Sequence, residues 1–384
     1  MLYDAVICIR LNQRDNNMFI IIMGIIILAV ILLQSFAYRK YWDRALSLDF
    51  RFSAREAFEG DALFLFAEIS NRKILPLPWL LLEYQLSANL VFPEGSDLEV
   101  GELDKSGLYS VMMYKRVRRK LRFVCKKRGY YRLRRIRLTG SNLLHTQTYN
   151  KVVECSAELT VFPSLLESLD EFAVIINNLD AMMLIQSLIN PDPFTFRGLR
   201  EYQPTDPLRS INFKATAIAQ QLMVNIHAPT SSKRLEIILN LEHYSHEPEY
   251  ELFEQAIRLA ATLANHYISE DVMVGFYTNG RDAYTGENTH ISCAAAPAQL
   301  YAIYNALGKL ALAFKPSHIS TYLDNLDSTG CVYVIISTYH GDDFAASLVG
   351  MEERGLSVMN ILPVKSGMPV ELGASNKIKI WEAM

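Results

Sequence analysis

Apolar positions along this chain fall into successive patterns, and each predicts a different kind of structure. Met18 to Phe36 (MFIIIMGIIILAVILLQSF) is apolar on every side of a helix, with Gln34 and Ser35 as its only polar side chains. About 20 such residues span a bilayer core, and a buried soluble helix seldom carries Ile all round. From Ala45 to Pro163 the apolar residues alternate or come in short runs: ALSLDFRF, ALFLFAEIS, LLLEYQLSANLVF, LRFVCKK, YYRLRRIRL and AELTVF. Glu59-Gly60-Asp61, Pro93-Glu94-Gly95 and Arg128-Gly129 punctuate them as turns. Short strands at regular spacing predict an antiparallel β-sandwich over 45–163. Residues 164–195 read as a connector, with a helix from Leu179 to Ile189 that stops before Pro191.

From Lys233 the period changes. Arg234–Leu241 is a short apolar run, and Pro248–Ser269 repeats Tyr250, Phe253, Ile257, Ala260, Ala261 and Ala264 at helical spacing. Strands follow at Val272–Tyr277, Cys331–Ser337, Leu356–Leu362 and Ile378–Trp381, with helices at Pro297–Ala313 and Asp342–Arg354. The alternation predicts a doubly wound α/β domain with a parallel sheet over 233–384. The whole is an α+β multidomain chain.

The span at 18–36 follows an N-terminal segment, 1–17. QSFAYRKYWDR is a poor cleavage site for a signal peptide, so a retained single-pass helix in the cell membrane is expected. Arg39, Lys40 and Arg44 follow it, which places the large domain in the cytoplasm. Tyr38, Tyr41 and Trp42 are expected at the membrane interface as an aromatic belt.

Charge changes the picture in one place. The chain's net charge is only −3, yet Lys115–Arg137 carries 13 Lys or Arg and no acidic residue. The stretch reads as a basic hairpin. Next to a membrane anchor, its arginines (Arg132, Arg134, Arg135 and Arg137) are candidates for anionic lipid. Nucleic acid is not expected as a partner, although Tyr130 and Tyr131 offer stacking surfaces. The five cysteines are widely spaced and contain no C-x-x-C. That argues against structural zinc or a disulfide framework, while Cys125 and Cys155 could meet within one β-domain.

No simple period fits Phe196–Ala217 (FRGLREYQPTDPLRSINFKATA), where Pro204 and Pro207 exclude a regular helix. Such a segment is expected to lie extended on the surface, held by guanidinium–carboxylate pairs. It resembles the signature G-x-R-x-Y-x-P-G-D-x-x-R-x-I-x-W-K-x-x-A of the bacterial domain of unknown function numbered 58. Gly198, Arg200, Tyr202, Pro204, Asp206, Arg209, Ile211, Lys214 and Ala217 match, within a signature segment spanning 196–226. Thr205 replaces a Gly and Phe213 a Trp; the Phe keeps an aromatic anchor, and the Thr asks for a turn without positive φ. NRKILPLPWLLLEY, KLRFVCKKRGYYRL and AELTVFPSL are similar to that family's β-domain.

The resemblance implies a von Willebrand factor A-like α/β domain and a MoxR-type AAA+ ATPase as partner. It also implies two N-terminal membrane helices, the first reduced here at most to Ala5–Ile9. The residues of the signature would either pin the connector to the α/β domain or dock the partner.

Chemistry is otherwise sparse. Domains of the von Willebrand type often hold a divalent cation through D-x-S-x-S after the first strand, where hard oxygens suit the ion. This chain has Asn240-Leu241-Glu242-His243-Tyr244-Ser245-His246 there, and Ser337-Thr338-Tyr339-His340 after the later strand. The ordinary site is degenerate at Asn240 and Glu242, so no metal or cofactor is expected. Cys293 near His290 reads as a loop coincidence, and Cys331 as a small hydrophobe. No G-x-S-x-G, H-E-x-x-H or Gly-rich phosphate loop occurs. The reading is a non-catalytic adaptor or scaffold acting on envelope-associated proteins. Its rivals are a metal-dependent hydrolase using Glu242, His243 and His246, and a tethered nucleic-acid binder.

Overall fold

A computed structural model describes residues 2–93, 99–100, 104–166, 169–189, 191–204, 206–229, 233–243, 250–326, 330–365 and 378–383. The chain divides into two units, 1–127 with 131–161, and 128–130 with 162–384.

The first unit opens with helix α1 (Leu2–Tyr41). At 1.5 Å per residue its 40 residues run about 60 Å. From Ile20 to Tyr41 it is long and apolar enough to cross a membrane, and its most apolar stretch is covered by nothing in the fold.

Ten strands follow: β1 (Leu46–Phe52), β2 (Glu56–Phe58), β3 (Ala62–Asn71), β4 (Leu77–Gln85), β5 (Leu90–Val91), β6 (Glu99–Val100), β7 (Asp104–Val111), β8 (Arg116–Cys125), β9 (Gly129–Ser141) and β10 (Thr148–Phe162). They build two sheets, ordered β1-β3-β8-β5 and β2-β10-β9-β4-β7-β6. Period-two burial fills the space between them. Leu65, Ala67 and Ile69 of β3 share one core with Leu80, Leu82 and Tyr84 of β4 and Leu133, Ile136 and Leu138 of β9. Each fully buried Leu or Ile contributes about 1.5–3 kcal/mol.

Two expectations are corrected here. Tyr38 and Trp42 are not an interfacial belt. Both are buried in the sandwich core, and Tyr38 Oη donates to the Pro76 carbonyl at 2.6 Å. Of the three aromatics only Tyr41 is exposed. Gly140 makes room for the Trp42 ring, since a Cβ there would sit 2.8 Å from it. The basic strands are likewise not a hairpin: β8 and β9 belong to different sheets, so their charges are split over two faces. Cys125 and Cys155 are both free thiols.

In the second unit, α2 (Leu169–Ile189) begins ten residues before the expected start and ends before Pro191. The signature segment is corrected as well. It is no extended strap but a small module: strand β11 (Pro191–Glu201), a 3-10 turn at Leu208–Ser210, helix α3 (Phe213–Ala219) and strand β12 (Met223–Pro229), with β11 and β12 antiparallel. Register shifts between Pro191 and Gly198 hide the strand period in the sequence.

The rest comprises β13 (Arg234–Asn240), α4 (Tyr250–Ser269), β14 (Met273–Asp282), β15 (Asn288–Ala294), α5 (Pro297–Lys309), β16 (Leu310–Ala311), α6 (Ser320–Asp324), β17 (Val332–Ser337), α7 (Asp342–Glu353), β18 (Ser357–Lys365) and β19 (Ile378–Ala383). The sheet order is β15-β14-β13-β17-β18-β19, with β16 also paired to β14, and it is parallel except for β15 and β16. Leu235, Ile237 and Leu239 point to a core shared with α2, α4 and α5. Ile238, Tyr333 and Ile335 point the other way, toward α6 and α7. Burial on both faces explains the unbroken apolar runs of β13 and β17.

Candidate functional site

The signature residues form the module's tightest polar knot. Arg200 reaches Asp206 with two parallel hydrogen bonds, 2.6 and 2.5 Å, and the Gln203 amide donates to the same carboxylate at 2.8 Å. This fork geometry is the strongest arrangement available to a carboxylate. The Arg200 guanidinium holds the Asp206 carboxyl below the usual range, the Gln203 amide adds to it, and the guanidinium is raised in turn. Asn212 caps α3 by accepting from the Ala215 amide at 3.0 Å, and its own amide group donates to Asn225 at 2.8 Å. The Tyr202 amide donates to the Leu222 carbonyl, and Ile211 bridges to buried Val224. Gly198 lies in β11 with open space where a Cβ would be. Thr205 lies outside the described residues.

Around this knot the module displays apolar side chains. Phe213 is 77% exposed and Ile218 78%, and Phe196, Leu199 and Leu208 are exposed too. Leu199, Lys214, Ala215, Ile218, Ala219 and Met223 line an open, largely apolar groove of about 330 Å³. Arg209 and Lys214 are exposed and make no ion pair with the described residues. Among the described residues, only Arg200 and Asp206 of the four charged signature residues form an ion pair, and they pair with each other.

A different arrangement occupies the carboxyl ends of β13, β14 and β17, where ligands bind in open α/β sheets. The Asn240 amide donates to Ser337 Oγ at 3.0 Å, while its carbonyl accepts from Asn279 Nδ2 at 2.8 Å and from the Glu242 amide at 3.0 Å. Asn279 also accepts from the Leu241 amide and donates to the Ser317 carbonyl. Asn240, Asn279 and Ser337 are fully buried. Glu242 accepts from the Ile319 amide and faces His318 Nδ1 at 2.9 Å.

Neutral amides thus satisfy one another where a cation would need carboxylates. Of the Glu242, His243 and His246 cluster, Glu242 turns to His318, His243 packs its ring 6.0 Å from Phe253, and His246 lies outside the described residues. Sequence reading missed Asn279 and His318. Asn279-Gly280 passes for an ordinary turn, and nothing local marks His318.

A third cluster joins distant thiols. Cys293 is on strand β15, not in a loop, and its Sγ passes over Gly275, where a Cβ would lie 2.8 Å away. It meets Cys331 and Glu236, with donor atoms of all three within 4.8 Å of one another. The hydrogen bond between the two thiols holds Cys293 below the usual thiol range and pushes Cys331 up. Tyr322, stacked on Tyr277 at 3.4 Å, donates to Glu236. Two sulfurs and one carboxylate are a donor set suited to a soft divalent ion such as zinc.

The basic strands are neutralised in part. Arg116 and Arg118 share Glu68, Arg132 meets Glu158 at 3.1 Å, Arg137 meets Glu83 at 3.7 Å, and Lys120 covers the Phe64 ring. Of the four arginines proposed for lipid, only Arg134 and Arg135 are exposed without a described ion pair.

No family model matches the chain, and no curated protein does. Among solved structures, the seventh ScaB type I cohesin from Pseudobacteroides cellulosolvens is 14% identical, covering 32% of this chain and 96% of the cohesin at a TM-score of 0.20. A CARDB domain from Pyrococcus furiosus, solved in complex with di-metal ions, is 14% identical over 30% of this chain and 93% of its own, at 0.20. The sporulation control protein Spo0M from Bacillus subtilis is 11% identical over 41% of this chain and 58% of its own, at 0.19. Likeness at that level says nothing about function.

Proposed function

We propose that this chain is a membrane-anchored, non-catalytic adaptor or scaffold of the domain of unknown function 58 type. It would work with a MoxR-type AAA+ ATPase on envelope-associated proteins. The signature module carries the reading. If the segment merely pinned the connector, Arg209 and Lys214 would end on carboxylates of the α/β unit. Instead neither pairs with a described carboxylate, Lys214 lines the exposed apolar groove, and Arg200 and Asp206 fasten the loop that precedes them. An exposed apolar patch rimmed by charge marks a protein-binding surface.

Further support for a von Willebrand A-like unit is the strand order. Counted from β13 it is 3-2-1-4-5-6 with an antiparallel edge, the doubly wound arrangement. The closed Asn240 network supports a domain used for binding rather than metal chemistry. Arg39, Lys40 and Arg44 after the apolar span support a cytoplasmic position for the large units.

A photo-crosslinking residue at Phe213 in the membrane-embedded full chain tests the reading. A crosslink to the AAA+ ATPase is expected, and lost when Arg209→Glu and Lys214→Glu are added. Crosslinks that never include the ATPase would overturn it.

A further inference from the structure

We propose that the end of the β-sandwich next to α1 is itself a membrane-docking surface, in which three turns dip apolar tips into the headgroup region around the helix. This rests on the reading of α1 as a membrane span. The turns are Arg72–Pro76 between β3 and β4, Met112–Lys115 between β7 and β8, and Asn142–Gln147 between β9 and β10.

Strand direction brings all three to one end. Leu46, the first residue of β1 after α1, pairs with Asn71, the last of β3; Arg116 of β8 pairs with Ser70; Val111 of β7 pairs with Leu77; and Gly140 pairs with Leu80. Side chains tie the same end to the helix. Tyr38 bonds to Pro76, Lys73 donates to the Trp42 carbonyl, Tyr149 stacks on Trp42 and Lys151 pairs with Asp43. Asn71 joins two of the turns, donating to Leu75 and Met112 carbonyls.

The tips of these turns are Ile74 (70% exposed), Met112, Met113, Tyr114 (66% exposed), Leu143 and Leu144, all large, apolar and uncovered. At the opposite end the described turns carry Ser53, Ala54, Arg55, Glu59, Gly60, Asp61, Ser87, Ala88, Asn89, Lys126 and Lys127 instead, and the exposed large hydrophobics there, Phe58 and Val91, lie on strands rather than at turn tips. A water-facing end has no reason to differ so sharply from its counterpart. An end that meets lipid does, because apolar groups gain by leaving water while cations meet anionic headgroups. The cations are present: Arg39, Lys40, Arg44, Arg72 and Lys115 are exposed around the same end. The nearby acid, Asp43, is already paired with Lys151. The lipid contact therefore belongs to the turns. Arg134 and Arg135 lie five or six residues along β9 from Gly140, roughly 16–20 Å up the strand.

Depth-dependent quenching decides the matter. The full chain, with Trp79→Phe as background and the emission of its remaining Trp42 and Trp381 subtracted, is placed in nanodiscs of phosphatidylcholine and phosphatidylglycerol carrying bromine near the headgroups or deep in the acyl chains. Tryptophan is introduced as Tyr114→Trp, as Glu59→Trp at the far end, or as Ile26→Trp in α1. Emission from Tyr114→Trp should be quenched by shallow bromine and shielded from acrylamide. Glu59→Trp should behave oppositely. If Tyr114→Trp ignores bromine while Ile26→Trp is quenched deeply, the docking surface is refuted and the span stands. If neither is quenched, the span fails and the proposal with it.

Discussion

The signature module and the strand ends of the α/β sheet are both rich in polar residues, and they are built on opposite principles. At the strand ends every amide of Asn240 and Asn279 is spent on a neighbour, in a buried network. In the module the polar knot is peripheral, and Phe213, Ile218, Arg209 and Lys214 are exposed beyond it. The fold's usual ligand position is sealed, and the open surface lies where no fold rule points. On the proposed reading recognition and stability are separated in this unit, and that separation can be attacked from either side.

The largest expected effect is on stability at the sealed end. Asn240→Ala leaves the buried Glu242 amide without its acceptor, a loss of about 1–3 kcal/mol. Melting should fall by several degrees, at roughly 2–4 °C per kcal/mol for a unit of this size. An unchanged melting curve would mean that the network is ornamental.

Arg200→Ala should come next. It frees the Asp206 loop and raises hydrogen exchange over residues 200–206, whereas Arg197→Ala, with no ion pair described, should leave exchange as it was. Acid gives a related and smaller effect. The folded-state pKa of Asp206 is depressed, so its contribution is present above the unfolded carboxylate value near 3.9. It is lost as pH falls through the lower folded value. Loop exchange should therefore rise only in strong acid, and Asp206→Asn should abolish that dependence. The smallest effect is an absence. Millimolar Mg²⁺ or Mn²⁺ should not move the melting curve, since the strand ends offer amides rather than paired carboxylates. A rise of several degrees would reopen the metal reading there.

Much of the architecture is legible in the sequence because it follows from local period. Strand β13 is expected at Arg234–Leu241 and lies at Arg234–Asn240, and α4 is expected at Pro248–Ser269 and lies at Tyr250–Ser269. What escapes is non-local. β15 (NTHISCA) is an edge strand too polar to announce itself. Tyr38 and Trp42 look interfacial because only the folded sandwich shows the slot above Gly140. β8 and β9 look like a hairpin because sequence cannot say which sheet a strand joins. Cys293 and Cys331 carry no motif, and they meet only because Gly275 lets one thiol cross the sheet. The module's strands escape for another reason: Pro191, Pro193 and Gly198 break their period.

The most direct test measures one affinity and one melting temperature on two variants of the full chain in nanodiscs. Arg209→Glu with Lys214→Glu should abolish binding of the MoxR-type ATPase with melting essentially unchanged, as surface substitutions stay within about 0.5 kcal/mol. Asn240→Ala should melt early yet bind with wild-type affinity below its transition. The reverse pattern, with binding lost at Asn240→Ala and kept in the charge-reversed module, would contradict the account.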